Sequence, residues 1–229
     1  TGKVLADING RPMIEHVWRR AKQSRILEEI FIACDDAKVF KAAQNFGARA
    51  VMTAPDIASG TDRVAQAVKD MPVDIVLNIQ GDEPLLRPEM LDALSGAIAQ
   101  DPSCRMATLV RRIDRQEDIL NPSVVKVVID RDGNALYFSR AAIPYDREKQ
   151  GLPRAVYYKH FGIYAYRREF LLRFKDLPES ALEKTEKLEQ LRVLEAGFRI
   201  KTVVTGHDTV GVDTAEDLER VVELLKENI

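Results

Sequence analysis

The 229-residue sequence predicts an α/β protein built on a mostly parallel, twisted sheet flanked by helices, with a small antiparallel insertion. Three observations carry that expectation. Short β-branched apolar runs alternate with segments of helical periodicity through the first half of the chain. One run, 73–79, is nearly unbroken in apolar character, as a central strand covered on both faces must be. Turn and capping residues punctuate the changes of period.

In order along the chain, Asn9-Gly10 is a turn signal, and Pro12 suits the first turn of a helix carrying Ile14, Val17, Trp18 and Ala21 at helical spacing. A short strand is expected over 29–34, an N-cap at Asp35 or Asp36, a helix to Gly47, and a strand over 48–52. Strand, helix and strand in alternation give a βαβ unit. After 52 comes SGTDR, with Ser59 or Thr61 placed to cap a helix bearing Val64, Ala67 and Val68 on one face. A helix over 88–99 and a strand over 106–110 follow the 73–79 run. The pattern then changes. Strand-like segments at 124–129 and 135–138 flank Asp132-Gly133-Asn134, a hairpin signal, and a polar loop at 146–154 leads into a β-rich stretch over 157–166. A helix over 181–196, stopped by Gly197, a strand over 200–204, and a last helix opened by Asp213 or Thr214 complete the pattern.

Composition narrows the function. A net charge of −2 gives no bulk electrostatic attraction to nucleic acid or to a membrane, so an anionic ligand must be held by local clusters. Cys34 and Cys104 have neither zinc-site spacing nor disulfide density, and both are expected to be free thiols. No apolar run is long enough to span a bilayer and no signal peptide is present in the sequence, which leads us to expect a cytoplasmic protein.

The chemistry centres on the end of the 73–79 run. Gln80-Gly81 opens a turn, Asp82 and Glu83 put two carboxylates where the strand stops, and Pro84 prevents the ladder from continuing. In open α/β sheets ligands sit outside the carboxyl ends of the strands, and a carboxylate there can hold Mg²⁺ while leaving positions for phosphate oxygens. An acidic solvated turn is the alternative. Ser59 and Arg63 lie on another loop that follows a strand, either as an ordinary helix start or as contacts to the polar edge of a ligand approaching Gly60. His160 interrupts an apolar strand, where a lone histidine is more often a hydrogen-bonded structural residue than a catalyst. Glu189, Gln190 and Arg192 stand beside the apolar face of the 181–196 helix, where a solvated helix surface is the simple reading. Asp213 reads as a helix cap when taken alone.

Together, SGTDR at 59–63, QGDEP at 80–84, NPSVVKVV at 121–128, ALYFSRAAIPYDR at 135–147, KHFGIYAYR at 159–167, LEQLRVLEAG at 188–197 and GVDTAEDLERV at 211–221 resemble the CMP-Kdo synthetase family, the 3-deoxy-manno-octulosonate cytidylyltransferases. The resemblance runs from Gly2 to the C-terminus in the family's order. It implies a nucleotide-diphospho-sugar transferase-like fold, a single cytidylyltransferase domain over 1–229 with an insertion at roughly 112–166, and the reaction CTP plus Kdo to CMP-Kdo plus pyrophosphate, a step of lipopolysaccharide biosynthesis. It further implies Mg²⁺ on Asp82 and Asp213, a Lys3 that stabilises α- and β-phosphate charge, nucleotide contacts from Ser59, Arg63 and Gln80, and sugar contacts from Arg140, His160, Tyr164, Glu189 and Gln190. Arg140 is matched to the sugar carboxylate because its fork is bidentate where a lysine is not. The family is homodimeric, and contact is expected through the β-rich segments around 124–166. Only Gly2 and Lys3 match the end of the strand and basic loop with which the family begins. A catalytically silent nucleotide-binding protein lacking that loop is therefore one alternative, and a cytidylyltransferase for 8-amino-Kdo or a sialic acid is another.

Overall fold

A computed structural model describes residues 2–57, 59–152 and 154–226. The chain falls into two compact units, the first made of Thr1–Val73, Asn78–Ser95 and His207–Ile229, the second of Asp74–Leu77 and Gly96–Gly206.

In the first unit, Asn9 and Gly10 both take positive φ (52° and 80°), the left-handed pair that closes a tight antiparallel hairpin between Asp7–Ile8 and Arg11–Pro12. Pro12 caps the helix Met13–Ala21, which buries Met13, Ile14, Val17 and Ala21. The expected βαβ unit is present. Phe31–Cys34 pairs in parallel with Arg49–Met52, and the connecting helix Ala37–Asn45 starts where the Asp36 carboxylate accepts from the Lys38 N–H. Gly47 ends that segment at φ 83°, and Ile14, Ile32, Val39, Ala43 and Ala48 form the core over which Trp18 and Phe46 stack with ring centroids 5.4 Å apart. A second core gathers Ile8, Met13, Val212 and Val221, so the helix Ala215–Lys226 packs on the hairpin end of the same unit.

The second unit carries a six-stranded sheet, to which Ile75–Asn78 contributes a strand at the point where the chain passes back to the first unit. Met106–Arg112 pairs in parallel with Lys201–Val204 and antiparallel with the ten-residue strand Tyr158–Arg167. The other edge of Tyr158–Arg167 is shared. Lys126–Ile129 pairs with its beginning, Ile75–Asn78 also pairs with it, and the Arg168 N–H donates to the Asp74 carbonyl just past its end. The hairpin of Lys126–Ile129 and Ala135–Ser139 forms where Asp132-Gly133-Asn134 predicts it, with Gly133 at φ 78°.

Two expectations are corrected. The sheet is mixed rather than mostly parallel, because the segment read as an insertion is built into it: Tyr158–Arg167 forms the middle of the sheet and runs antiparallel to Met106–Arg112 and to Lys126–Ile129. The helix expected over 181–196 is two helices, Ala181–Glu186 and Leu191–Glu195. Ser180 and Glu183 form a capping box at the start of the first, and Lys187 adopts the left-handed conformation (φ 55°) that terminates it. Leu188, Glu189 and Gln190 therefore occupy a turn rather than a continuous helix face. Both cysteines are free and buried, and no helix among the described residues is long and apolar enough to cross a membrane.

Candidate active site

In the first unit the strand-end carboxylates are brought together as the sequence suggests. Lys3 Nζ donates to Asp82 Oδ2 and to Asp213 Oδ1, each at 2.8 Å. The local backbone makes this possible. The Val212 N–H donates to the Asp82 carbonyl at 2.9 Å and so ties the two acidic segments side by side. Gly81 sits close against its neighbours, since a Cβ there would meet Ile14 Cδ1 and Val4 Cγ1 at 3.1 Å, tighter than side chains ordinarily pack. Gly211 lets its segment close on Glu83, whose Oε1 would lie 3.2 Å from an added Cβ. Asp213 is not the helix cap. Thr214 Oγ1 accepts from the Asp217 N–H and the Asp217 carboxylate accepts from the Asp213 and Thr214 N–H groups, which leaves the Asp213 side chain 83% exposed and directed at Lys3.

Two carboxylates converging on one cationic point are the donor set a hard divalent cation uses, with waters and substrate phosphates completing its octahedron. Among the described residues no group of three His, Cys, Asp or Glu could hold a metal, and the carboxylates that meet at Lys3 are two, Asp82 and Asp213. Burial works to lower the Lys3 pKa, but its hydrogen bonds to Asp213 and Asp82 and their charges outweigh it, and the ammonium is held above its ordinary value. Burial also pushes Glu83 up to about 7, against the hydrogen bond that Thr209 Oγ1 donates to it at 2.7 Å and with the help of the charges on Asp82, Asp213 and Asp208. The environment that raises Glu83 is not revealed by the bare Asp-Glu pair.

The other nucleotide candidates of this unit are held differently. Ser59 caps the helix Gly60–Ala67, accepting from the Asp62 N–H at 3.1 Å and donating to Asp62 Oδ2 at 3.0 Å. Arg63 donates to Thr53 Oγ1 at 2.5 Å and to Asp35 Oδ2 at 2.7 Å, so its fork is fixed by two side chains from the βαβ unit. Gln80 makes no hydrogen bond to a described residue through its side chain. Asp35, read from sequence only as a possible cap, is the partner that orients Arg63.

In the second unit the five sugar candidates lie on neighbouring elements. Arg140 donates from Nε to the Glu186 carbonyl and from Nη1 to the Pro122 carbonyl, each at 3.0 Å, which fixes the guanidinium plane by its other edge and leaves Nη2 with no described partner. Glu186 also accepts from Ser139 Oγ (2.5 Å) and from the Arg140 N–H (3.0 Å); nothing in the sequence singles it out, since the contact depends on where Lys187 turns the chain. The His160 ring sits edge-on to Phe138 (centroids 4.9 Å apart) and 5.4 Å from Tyr164, and burial pushes its pKa down to about 3. Burial, with the charges of Tyr166 and Glu189, raises the Tyr164 phenol well above its usual range, so it is a neutral donor. Gln190 is only 4% exposed, against the solvated reading, and its Nε2 is buried without a described acceptor. A cavity of about 510 Å³ elsewhere in this unit, bordered by Arg111, Arg112, Asp114 and Leu152, takes in none of the five.

The family described as Cytidylyltransferase matches residues 1–202 of the chain. A 3-deoxy-manno-octulosonate cytidylyltransferase of Syntrophus aciditrophicus is 51% identical over 227 residues, covering 98% of this chain and 91% of the relative. The enzyme of the same description from Geobacter sulfurreducens is 47% identical over 233 residues, covering 98% and 93%. Among solved structures, CMP:2-keto-3-deoxy-manno-octonic acid synthetase complexed with CTP superposes with a TM-score of 0.93 at 44% identity, covering 100% of this chain and 93% of that one.

Proposed function

Because the chain belongs to the cytidylyltransferase family and, within it, to the 3-deoxy-manno-octulosonate cytidylyltransferases, we propose that it activates Kdo for lipopolysaccharide assembly by the reaction CTP plus Kdo to CMP-Kdo plus pyrophosphate. The observation that carries the reading is the convergence of Asp82 and Asp213 on one cationic point beside Gln80. We take residues 1–229 as one cytidylyltransferase domain, supported by the extent over which the relatives align.

In this reading the anomeric hydroxyl of the sugar attacks the α-phosphorus in line with the departing pyrophosphate. Asp82 and Asp213 would hold Mg²⁺, which when bound neutralises phosphoryl charge and lowers the pKa of the attacking hydroxyl. Lys3, kept cationic by its two carboxylates, turns its ammonium toward the α- and β-phosphate oxygens as the nucleotide arrives and donates hydrogen bonds to them. Gln80 offers the base a donor and an acceptor, while Ser59 and Arg63 act from positions fixed by Asp62, Thr53 and Asp35. On the sugar side Arg140 presents Nη2 to the carboxylate, Tyr164 donates to a hydroxyl, Gln190 completes its amide bonding on the ligand, and Glu189 accepts from the sugar. Fixed donors and acceptors of this kind orient the reacting hydroxyl without a dedicated base.

The same reading makes the protein cytoplasmic and homodimeric. Leu136, Tyr145 and Val156 are exposed apolar residues within the 124–166 stretch to which the dimer contact is assigned in this reading. Pyrophosphate release with Mg²⁺, offering CTP and other nucleotides against Kdo, 8-amino-Kdo and a sialic acid, tests the function. Release with CTP and Kdo alone is expected. Release with a different acid sugar would move the assignment within the family, and no release from folded protein would leave a nucleotide-binding chain without turnover.

A further inference from the structure

Thr108 is fully buried in the strand Met106–Arg112, yet it carries a hydroxyl where a valine of the same shape would avoid the cost of desolvating one. The hydroxyl has three neighbours within hydrogen-bond distance: the Ile163 carbonyl at 2.9 Å, the Phe161 carbonyl at 3.2 Å, and His160 Nε2 at 3.0 Å. All three come from the strand Tyr158–Arg167 at the irregularity between Thr108 and Leu109, where the partner of Thr108 is Tyr164 and that of Leu109 is Phe161. The extra residues on the longer strand turn two carbonyls toward one side chain, as bulges do.

A threonine hydroxyl has one proton and two lone pairs, and a carbonyl oxygen can only accept. The single proton goes to a carbonyl, the Ile163 oxygen at 2.9 Å being the nearer, because neither carbonyl can bring a proton to the contact whereas the imidazole can. His160 Nε2 can then satisfy its contact in one way, by donating its own proton to Thr108 Oγ1. The ring is neutral at working pH because burial holds its pKa near 3, so it has one N–H, and that N–H is on Nε2. Nδ1 is left with a lone pair and no hydrogen-bond donor among the described residues. The ring is flanked by the edge contact of Phe138 and the tilted Tyr164 ring.

We propose that Thr108 is a positioning residue that fixes His160 as the Nε2–H tautomer, so that Nδ1 is presented as an acceptor to a hydroxyl of the sugar substrate. The acceptor role rests on the assignment of His160 to the sugar site, whereas the tautomer is a property of the free protein. Long-range ¹H–¹⁵N spectra of ¹⁵N-histidine-labelled protein read it directly. The wild type should show a protonated, pyrrole-like Nε2 and an unprotonated, pyridine-like Nδ1 for His160. Thr108→Ser, which keeps the hydroxyl, should retain that pattern, and Thr108→Val should lose it to a mixture. In the pyrophosphate assay Thr108→Val should raise the KM for Kdo by about 10-fold, the scale of one hydrogen bond, with the KM for CTP unchanged and Thr108→Ser close to wild type. A pyrrole-like Nδ1 in the wild type overturns the proposal, and so does a folded Thr108→Val protein with an unchanged tautomer and an unchanged KM for Kdo. Should Thr108→Val not fold, the wild-type and Thr108→Ser spectra decide. Absence of turnover by the wild type with CTP and Kdo would refute the functional reading and the sugar-acceptor role, and the spectrum of the free protein would still decide the tautomer.

Discussion

Acid should weaken this fold through His160, and by a calculable amount. The folded-state pKa of about 3 lies below the ordinary 6.5, and burial alone is responsible, with no neighbouring charge contributing. Between those values the unfolded chain binds a proton that the folded chain refuses, so stability falls as pH drops from 6.5 toward 3 and is unaffected by this group above 6.5. Each unit of pH in that window is worth about 1.4 kcal/mol, which gives roughly 2 kcal/mol between neutral pH and pH 5.0 for a fully enclosed ring. His160 is half-buried, and partial hydration of the imidazolium reduces this to about 1 kcal/mol. The comparison is between wild type and His160→Gln, which keeps a donor toward Thr108 but does not titrate. Urea unfolding at pH 7.5 and 5.0 should show the wild type losing about 1 kcal/mol more than the variant, other titrating groups cancelling in the difference. Equal acid sensitivity in the two proteins, together with an NMR titration of His160 near 6.5, would refute the reasoning and return the ring to solvent.

Asp82→Asn should abolish pyrophosphate release and Asp213→Asn should nearly do so, as should chelation of the metal, while urea unfolding of either variant stays within about 1 kcal/mol of wild type; both carboxylates are partly or largely exposed and their bridges to Lys3 are of the weakly stabilising surface kind. Global unfolding of either variant would make them structural. Gly81→Ala should cost about 1–3 kcal/mol, read as a lower unfolding midpoint, because its Cβ enters the contact with Ile14 and Val4 at 3.1 Å. A midpoint equal to wild type would mean that the turn relaxes freely and does not set the position of Asp82.

Which features were legible in the sequence follows from the range of the interactions that create them. Asn9-Gly10, Asp132-Gly133-Asn134 and the βαβ unit around Ala37–Asn45 are set by neighbours along the chain, and each forms where the residues predict it. The capping of the last helix was half legible. Asp213 and Thr214 are both good cap types, and only the Asp217 carboxylate, which takes Thr214 into a reciprocal pair, frees Asp213 to meet Lys3. The break at Lys187 was hidden because a lysine carries no turn signal, and it decides that Gln190 is buried and that Glu186 reaches Ser139 and Arg140. The mixed sheet and the bulge opposite Thr108 were hidden for a different reason. Strand direction and register are long-range choices, made here by one ten-residue strand that must pair along both edges. A shift of one residue would turn Thr108 to the other face of the sheet and His160 away from it, so the residue types alone could name His160 as a candidate but could not say which of its nitrogens carries the proton. In the proposal made above, that choice belongs to the register.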